Sequence, residues 1–319
     1  MCGIFGFSRI TDVTRRMAPI LALAMEDRGR DSWGATNGTE VIKHLGPIHR
    51  TWSQEVDAWA GWEQGIFHTR AASTGAVSIP NQHPFIVEKD GQAIIGIHNG
   101  IVTNHEILNK KHNRNFDCDS PHIFMAIAGF SPTNEIMGYG NLAWFERTET
   151  DPTPRLFLAR FNGDNLFVAQ LDGGEVVFCS LKDPLEKAAM VAGSKVRTLY
   201  ATDGDLLYSV HACEDNPAMD GLFRIRPMPF GSRAYPNNSP NLSHIGDGTH
   251  HHSRYGTYTP ELLIDQLGAE DRAQDICLTP SCVRRVIPNR RKALVCESCL
   301  DKIIKEMKPS EERTPVRLY

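Results

Sequence analysis

A cysteine at the second position of this chain can act as a nucleophile once the initiator methionine is removed. Removal of Met1 would leave Cys2 with a free α-amine. The amine has an ordinary pKa of about 7.7–8.0 and the thiol one of about 8.5, so the amine can take the thiol proton near neutral pH. Cys2 would then supply both the nucleophile and its general base, without the help of a histidine.

Four cysteines near the C-terminus have the spacing of a metal site. Cys277 and Cys282 are separated by four residues, thirteen residues follow, and Cys296 and Cys299 are separated by two. Zn²⁺ binds four thiolates tetrahedrally, and two short-spaced pairs joined by a loop make a closed structural site. The spacing therefore predicts one structural Zn²⁺. Four unrelated reduced cysteines are the alternative.

The loop between the two cysteine pairs is basic. It contains Arg284, Arg285, Arg290, Arg291 and Lys292. Such a loop can bind nucleic acid or an acidic protein surface. No aromatic residue lies between the basic ones, so stacking on bases is not supported. Nucleic acid is therefore the less favoured partner, and docking onto a partner protein is at least as well supported.

Several motifs accompany Cys2 in the first part of the chain. Each is ambiguous when taken alone: Asn99-Gly100, for example, is also the strongest hairpin-turn signal. The motifs are Cys2-Gly3-Ile4-Phe5-Gly6, Arg28-Gly29-Arg30-Asp31-Ser32-Trp33-Gly34, His68-Thr69-Arg70 followed by Ala71-Ala72-Ser73-Thr74-Gly75, Asn81-Gln82-His83-Pro84, and His98-Asn99-Gly100-Ile101-Val102-Thr103-Asn104.

In order and approximate spacing, these motifs resemble the glutaminase domain of class II glutamine amidotransferases, above all the glucosamine-6-phosphate synthase type. The resemblance extends over residues 1 to about 230. It implies the four-layer αββα sandwich of N-terminal-nucleophile hydrolases. It also implies hydrolysis of the side-chain amide of L-glutamine through a γ-glutamyl thioester on Cys2, which gives glutamate and ammonia.

The resemblance implies roles for individual residues. The side-chain amide of Asn99 and the backbone N–H of Gly100 would form the oxyanion hole, where preorganised donors stabilise the tetrahedral intermediate. Arg70 would bind the α-carboxylate of glutamine, which suits its planar fork of donors. Asp119 would bind the α-ammonium group; its alternative is a helix cap, and Asp117 is a nearby competitor.

The motif around Arg28 and the loop after Arg70 are expected to have structural and substrate-binding roles, respectively. Arg28 and Asp31 are expected to form a structural turn and an ion pair behind the nucleophile. After Arg70 the family usually has a tryptophan, where this chain has Ala71. Ser73 and Thr74 replace a Thr-His pair, and we expect both to contact the substrate through hydroxyl or backbone groups.

The elements that would hold these residues can be predicted from local patterns. Ser120 is expected at the N-cap of the second helix, with Pro121 at its first position. The turn signals Asn162-Gly163-Asp164, Asp172-Gly173-Gly174 and Asp203-Gly204 separate β-like runs as in hairpins. The pattern predicts an α+β domain with largely antiparallel sheets. The predicted strands are Gly3–Phe7, Gly65–Thr69, Ala93–His98, Arg155–Phe161, Asn165–Leu171, Glu175–Ser180, Leu199–Ala201 and Leu206–Val210, and the predicted helices are Arg16–Glu26 and Pro121–Ala128.

A change in composition divides the chain. We predict a glutaminase domain over residues 1–235, a polar linker over 236–259 and a small zinc-ribbon-like module over 260–319. The linker is rich in Asn, Ser, Gly, Pro and His, and its His250-His251-His252 run is expected to be solvated. Residues after about 230 contain neither a P-loop nor an SGG-x-DS loop. We therefore expect a separate synthase subunit to accept the ammonia.

Composition and hydropathy set the remaining expectations. The chain has 319 residues, of which 41% are hydrophobic and 23% charged, with a net charge of -4, so it has no global attraction to nucleic acid or anionic membranes. The N-terminus lacks the pattern of a signal peptide, and the apolar stretch Ile20–Met25 is far shorter than the ~20 residues that span a bilayer. We expect a cytoplasmic protein without a membrane partner, whose thiols stay reduced.

Two other functions remain open on the residues alone. One is an amidohydrolase on the same fold that acts on another γ-glutamyl or amide substrate. The other is a catalytically silent, zinc-bearing binding protein, which retention of Met1 would favour. The combination of Arg70, Asp119 and Asn99-Gly100 favours a glutamine amidotransferase. Such an enzyme has both hydrolase and transferase activity.

Overall fold

The computed structural model describes residues 1–202, 206–211 and 221–227. The predicted linker, the predicted zinc module and its four cysteines lie outside these residues, so the predicted domain boundaries stay predictions. No helix among the described residues is long and apolar enough to cross a membrane.

Two antiparallel sheets form the centre of the described residues. The first has seven strands in the order β11-β9-β10-β1-β4-β2-β3, and the second has six in the order β13-β12-β8-β7-β6-β5. The first sheet consists of β1 (Gly3–Phe7), β2 (Ser32–Thr36), β3 (Val41–Leu45), β4 (Gly65–Arg70), β9 (Phe167–Leu171), β10 (Val176–Cys179) and β11 (Val196–Ala201). The second consists of β5 (Phe85–Lys89), β6 (Gln92–Val102), β7 (Gly138–Thr148), β8 (Arg155–Phe161), β12 (Leu206–His211) and β13 (Gly221–Pro227).

Helices cover the outer faces of both sheets. They are α1 (Asp12–Glu26), α2 (Trp52–Ala60), α3 (His105–Lys111), α4 (Pro121–Ile127) and α5 (Lys182–Val191), with short 3₁₀ turns at Ile48–Arg50 and Thr133–Glu135. The predicted α+β class with antiparallel sheets is confirmed.

Three hydrophobic clusters lie between four layers, which are the two sheets and the helices on the outer face of each sheet. The middle cluster joins the sheets and contains Ile4 and Phe178 of the first with Ile97 and Phe145 of the second. A second cluster fills the space between the first sheet and helices α1, α2 and α5. A third lies between the second sheet and helices α3 and α4. Because successive residues of a strand face opposite ways, each sheet contributes side chains to two clusters. The layers therefore follow the predicted αββα order.

The first helix is longer than predicted. It begins at Asp12 instead of Arg16, because Thr11 and Thr14 form a capping box. The Thr14 backbone N–H donates to Thr11 Oγ1 at 3.3 Å, and the Thr11 backbone N–H donates to Thr14 Oγ1 at 2.7 Å. The usual sequence signal has Glu or Gln at the third position, so a threonine there conceals the start.

Two of the three predicted hairpins are wrong. The turn at Asp172-Gly173-Gly174 does join paired strands, β9 and β10. The Asn162-Gly163-Asp164 segment instead leads from β8 in the second sheet to β9 in the first. Strands β11 and β12, on either side of Asp203-Gly204, also belong to different sheets. Local turn chemistry predicts a reversal of direction, but it does not say which sheet the next strand joins.

Helix α4 packs closely on β6. Its N-cap residue is Ser120 and Pro121 opens the helix, as predicted, although the Ser120 side chain makes no capping bond. The Phe124 ring of this helix lies directly over Gly96 of β6, where a β-carbon would be 2.1 Å from its Cε1. A glycine at position 96 thus lets the helix, and Asp119 just before it, approach the sheet.

Gly96→Ala should lower the free energy of unfolding by about 1–3 kcal/mol, the usual cost of overpacking a buried site. Urea denaturation measures this loss. Gly61→Ala is a matched control, because nothing lies within 4 Å of its β-carbon position. Equal stability of the two variants would contradict the close packing of α4 on β6.

Candidate active site

Cys2 lies at one end of the first sheet, immediately before β1. At this end β4 stops, since Gly3 pairs with Thr69 in the antiparallel ladder. The half-buried Cys2 thiol faces the carbonyl oxygen of Ala71 at an S–O distance of 3.6 Å. The Cys2 thiol therefore lies beside the start of the loop that follows Arg70.

The pKa of the Cys2 thiol is raised above its ordinary value, chiefly because burial disfavours the thiolate. The chain's terminal amine and the cations Arg70 and Arg28 act in the opposite direction. The thiol of the chain that carries Met1 is thus neutral at rest, and attack on a substrate needs a base to remove its proton.

Arg28 and Asp31 hold the backbone on either side of the thiol. Arg28 Nε donates to the carbonyl oxygen of Cys2 at 2.7 Å, and its guanidinium lies 3.9 Å from the Asp164 carboxylate. Asp31 instead accepts the backbone N–H of Ala72 at 2.8 Å. The expected ion pair between Arg28 and Asp31 is therefore wrong, because each side chain is used by a neighbouring segment.

The buried Arg70 side chain organises the loop after β4. Its Nη1 donates to the carbonyl oxygen of Ala76 at 3.0 Å, and its Nη2 donates to that of Thr74 at 2.7 Å. Thr74 thus takes part through its backbone, whereas Ser73 is exposed. Arginine has five N–H donors, so three remain for a bound carboxylate.

Asp117 fastens the same loop from the other side. Its carboxylate accepts the backbone N–H of Ala76 at 2.8 Å and the side-chain N–H of Asn81 at 2.6 Å. The Ala76 N–H is the main reason that the pKa of Asp117 is lowered. Asp117 is exposed and engaged by the loop, which leaves it poorly placed to compete for a substrate ammonium group.

Asp119 is buried and tied to the end of β6. Its Oδ2 accepts the backbone N–H of Val102 at 2.6 Å, and the thiol of Cys118 lies 3.6 Å from its Oδ1. The helix-cap alternative is not observed, since the carboxylate binds the strand and the N-cap position belongs to Ser120. A carboxylate accepts about four hydrogen bonds, so Asp119 retains capacity for another donor.

Asn99 and Gly100 lie inside strand β6, not in a turn. Asn99 pairs with Asn141 and Gly100 with Gly140 of β7. The predicted strand ended at His98, whereas β6 continues to Val102. A β-carbon at position 100 would lie 2.0 Å from the carbonyl oxygen of Tyr139, so only glycine fits there.

Two hydrogen bonds fix β6 to the first sheet. His68 Nε2 lies 3.1 Å from the carbonyl oxygen of His98, and Asn99 Nδ2 donates to Ser180 Oγ at 3.3 Å. Ser180 follows β10 and also accepts the backbone N–H of Ile4 at 3.0 Å. The Asn99 amide is therefore bound to a hydroxyl that also holds the backbone of Ile4, two positions after Cys2.

Two kinds of relative match part of this sequence. No family model matches the chain. Glutamine–fructose-6-phosphate aminotransferase (isomerizing) from Bacillus cereus is 34% identical over 116 residues, which cover 35% of this chain and 19% of the relative. Amidophosphoribosyltransferase from Synechococcus elongatus is 28% identical over 135 residues, which cover 40% of this chain and 27% of the relative. The homologues are class II glutamine amidotransferases. The chain spans about a fifth of the length of the aminotransferases that it matches.

One solved structure has a fold similar to that of this chain. The allosteric regulatory enzyme of purine biosynthesis has a TM-score of 0.50 and 18% identity, over 70% of this chain and 49% of that one. At this identity the likeness extends to the fold alone. The homologous amidotransferases are enzymes, and the position of Cys2 is consistent with their N-terminal cysteine nucleophile.

Two residues beside the candidate site were given no role from the sequence: Ser180, which binds Asn99, and His68, which binds the second sheet. Arg28 was expected to pair with Asp31, and its bond to Cys2 was not predicted. Their partners lie up to 81 residues away in the chain. No local pattern could have revealed Ser180. His68 and Arg28 stand within motifs that suggested a function without showing which contact each residue makes.

Three buried histidines lie behind the site. The ring centroids of His68 and His83 are 4.0 Å apart, with the ring planes tilted by 35°, and His98 Nδ1 lies 3.0 Å from Ser120 Oγ. Burial lowers the pKa of His68 to about 3 and that of His83 well below its ordinary value. Neither ring nitrogen of His83 has a hydrogen-bond partner among the described residues. These rings are therefore neutral at physiological pH.

The histidines do not make a metal centre. Within the described residues, no group of three or more His, Cys, Asp or Glu side chains is arranged to hold a metal ion. The predicted ligands Cys277, Cys282, Cys296 and Cys299 lie outside those residues.

His83→Phe should flatten the acid side of the stability curve. Below the ordinary histidine pKa of about 6.5, the unfolded chain binds a proton at position 83 that the folded chain does not, so stability falls by up to about 1.4 kcal/mol per pH unit for this residue. Phenylalanine removes this loss, and it breaks no hydrogen bond to a described residue. Urea unfolding at several pH values measures the slope, and an unchanged slope would show that His83 is not buried and neutral.

Proposed function

We propose that the protein hydrolyses the side-chain amide of glutamine through a γ-glutamyl thioester on Cys2, and releases glutamate and ammonia. One arrangement carries the proposal. The Ser180 hydroxyl binds both the Ile4 backbone and the Asn99 amide, and so holds a side-chain N–H donor next to the strand that begins after Cys2. The relatives add support, since the name of the aminotransferase includes glutamine.

In the proposed reaction, the α-amine freed by removal of Met1 takes the proton of the thiol. The sulfur then attacks the amide carbon of glutamine, and the negative charge that develops on oxygen is stabilised by Asn99 Nδ2 and the Gly100 N–H. Collapse breaks the carbon–nitrogen bond, and the α-ammonium returns the proton to the leaving ammonia. Water then attacks the thioester, forms glutamate and restores the thiol.

Because the pKa of the Cys2 thiol is raised, the thiol needs a general base, and we assign that role to the α-amine. A thiol that is neutral when buried does not react until a base removes its proton, and the α-amine that removal of Met1 would free belongs to the same residue. This arrangement limits attack to the mature chain, in which Met1 is absent.

Substrate recognition is proposed to use both charges of glutamine. Arg70 retains donors for the α-carboxylate, and the buried Asp119 retains acceptor capacity for the α-ammonium. Ser73 and the backbone of Thr74 lie in the loop that Arg70 organises, and would complete the pocket. Ala71 leaves this loop without the aromatic side chain found in the family.

The acceptor of the ammonia is proposed to be a separate synthase subunit. The cytoplasmic location expected from the sequence stays a prediction.

Ammonia release from glutamine should be lost in Cys2→Ala and Cys2→Ser. A loss on the order of 10³-fold or more is expected, since removal of a nucleophile has effects of this size or greater. Cys179→Ala is the control: burial raises the pKa of this thiol to about 12, so it is inert. A coupled assay for ammonia and glutamate measures the rates, and circular dichroism checks the fold.

Each alternative function gives a different result in this assay. Full activity of Cys2→Ala would exclude the thioester mechanism. Release of ammonia from another amide, but not from glutamine, would identify an amidohydrolase. An intact mass that retains Met1, together with an inactive wild type, would identify a silent binding protein.

We also propose one structural Zn²⁺ on Cys277, Cys282, Cys296 and Cys299. The paired spacing leaves no open position for water, and a tail of this size gains most of its stability from such a metal. The basic loop between the pairs would then be presented to a partner protein.

Purified protein should contain one zinc per chain by elemental analysis, and Cys282→Ser or Cys296→Ser should remove it. The tail of these variants should become sensitive to protease, because metal binding is coupled to folding. Cys118→Ser is a control for loss of a cysteine outside the set. Sulfur atoms more than ~7 Å apart in an experimental structure would contradict the site, since Zn–S bonds of about 2.3 Å place tetrahedral sulfurs under ~4 Å apart.

A further inference from the structure

The Ser180 hydroxyl occupies a junction between the two sheets. It accepts the backbone N–H of Ile4 at 3.0 Å and lies 3.3 Å from the carbonyl oxygen of Ile4. On its other side it is 3.3 Å from Asn99 Nδ2. The side chain is almost completely buried, with 5% of the residue exposed, so water does not compete for these contacts.

The contacts of this hydroxyl restrict which neighbouring groups donate a hydrogen bond to it and which accept one from it. A serine hydroxyl donates one hydrogen and accepts two. The Ser180 hydroxyl donates its hydrogen to the Ile4 carbonyl, which also accepts the Ser180 backbone N–H, and the Ile4 N–H uses one lone pair of the hydroxyl. The remaining lone pair can only receive a donor. Asn99 must therefore turn its NH₂ group, not its carbonyl oxygen, towards Ser180.

This constraint selects one of two orientations of the Asn99 amide. An amide that is not fixed can turn over and exchange its donor and acceptor ends. Nδ2 carries two hydrogens: one goes to Ser180, and the other is available to a developing oxyanion. The alternative orientation would present a carbonyl oxygen to the oxyanion, and the repulsion would raise the barrier.

We propose that Ser180 is a positioning residue for the oxyanion hole, which sets the orientation of the Asn99 amide relative to Cys2. The inference deepens the proposed glutaminase function and rests on it. Ser180 acts through Asn99 and has no contact with substrate. Its loss should therefore reduce stabilisation of the tetrahedral intermediate and leave the binding of glutamine unchanged.

The chain contains a matched control at the other end of the same ladder. Ser8 follows β1 as Ser180 follows β10, and its hydroxyl accepts the backbone N–H of Val176 at 2.9 Å. The Ser8 N–H also donates to the carbonyl oxygen of Val176 at 2.8 Å, as the Ser180 N–H does to that of Ile4 at 2.9 Å. Both serines are buried. They differ in that the Ser180 hydroxyl also contacts Asn99.

The test compares Ser180→Ala, Ser8→Ala and Ser180→Thr with the wild type. Steady-state glutaminase assays give kcat and KM, and urea unfolding gives the midpoint of each variant. A glutamine analogue with an aldehyde in place of the amide forms a tetrahedral adduct with a cysteine thiol, so its affinity reports on the oxyanion hole. Binding of glutamate reports on the substrate clamp alone.

Ser180→Ala should lower kcat about ten- to a hundredfold, a part of what the loss of an oxyanion donor costs, with KM changed less than about twofold. Its affinity for the aldehyde should fall by a similar factor, with unchanged affinity for glutamate. Ser8→Ala should keep the kcat of the wild type, although its urea midpoint falls about as far as that of Ser180→Ala. Ser180→Thr, which keeps the hydroxyl, should recover most of kcat.

Two outcomes overturn the inference and can be told apart. Equal kcat in Ser180→Ala and Ser8→Ala, with an active wild type, would overturn the role of Ser180 and leave the glutaminase function standing. An increase in KM without loss of kcat would do the same. A wild-type chain that releases no ammonia from glutamine would overturn the proposed function and this inference together.

Discussion

The candidate site depends on the hydrogen bonds that join strand β6 of the second sheet to the first. The proposed nucleophile, Cys2, lies immediately before β1 of one sheet, whereas the proposed oxyanion donors lie in the other, and packed sheets are about 10 Å apart. His68 binds the carbonyl oxygen of His98, and Ser180 binds the Asn99 side chain, so both bonds end on the segment that would hold the oxyanion. Each contributes only about 0.5–1.5 kcal/mol to net stability. Their larger effect is to fix the spacing and register of two separately formed layers.

This arrangement requires a polar layer inside a hydrophobic core. Above and below it, the two sheets meet through residues such as Ile4 and Ile97. Histidines suit the layer because burial keeps them neutral, and a neutral ring can bind a backbone carbonyl without bringing a charge into the core. Acid should weaken the same layer, since protonation of His68 or His83 would place a cation there. Stability and the geometry of the site are thus linked through the same side chains.

The sequence predicted the type and order of the elements better than their partners. The short apolar run Gly3–Phe7 and the Ser120-Pro121 start of α4 are local signals, and the predicted strand and helix start are both confirmed. The extension of β6 through Asn99 was not predictable, because Asn-Gly favours a turn and only pairing with β7 overrides that preference. The contact between Asn99 and Ser180 joins residues 81 positions apart, and it depends on how the sheets stack. The roles predicted for the site residues followed from a resemblance among motifs, and reasoning from local pattern alone would have left most of them open.

The most direct test of the central claim is an experimental structure of the mature protein with the glutamine-derived aldehyde bound. The account predicts a covalent bond from Cys2 Sγ to the former aldehyde carbon. The adduct oxygen should lie about 2.7–3.1 Å from Asn99 Nδ2 and from the Gly100 nitrogen. An adduct on another cysteine, or an oxygen directed away from Asn99, would contradict the proposed site.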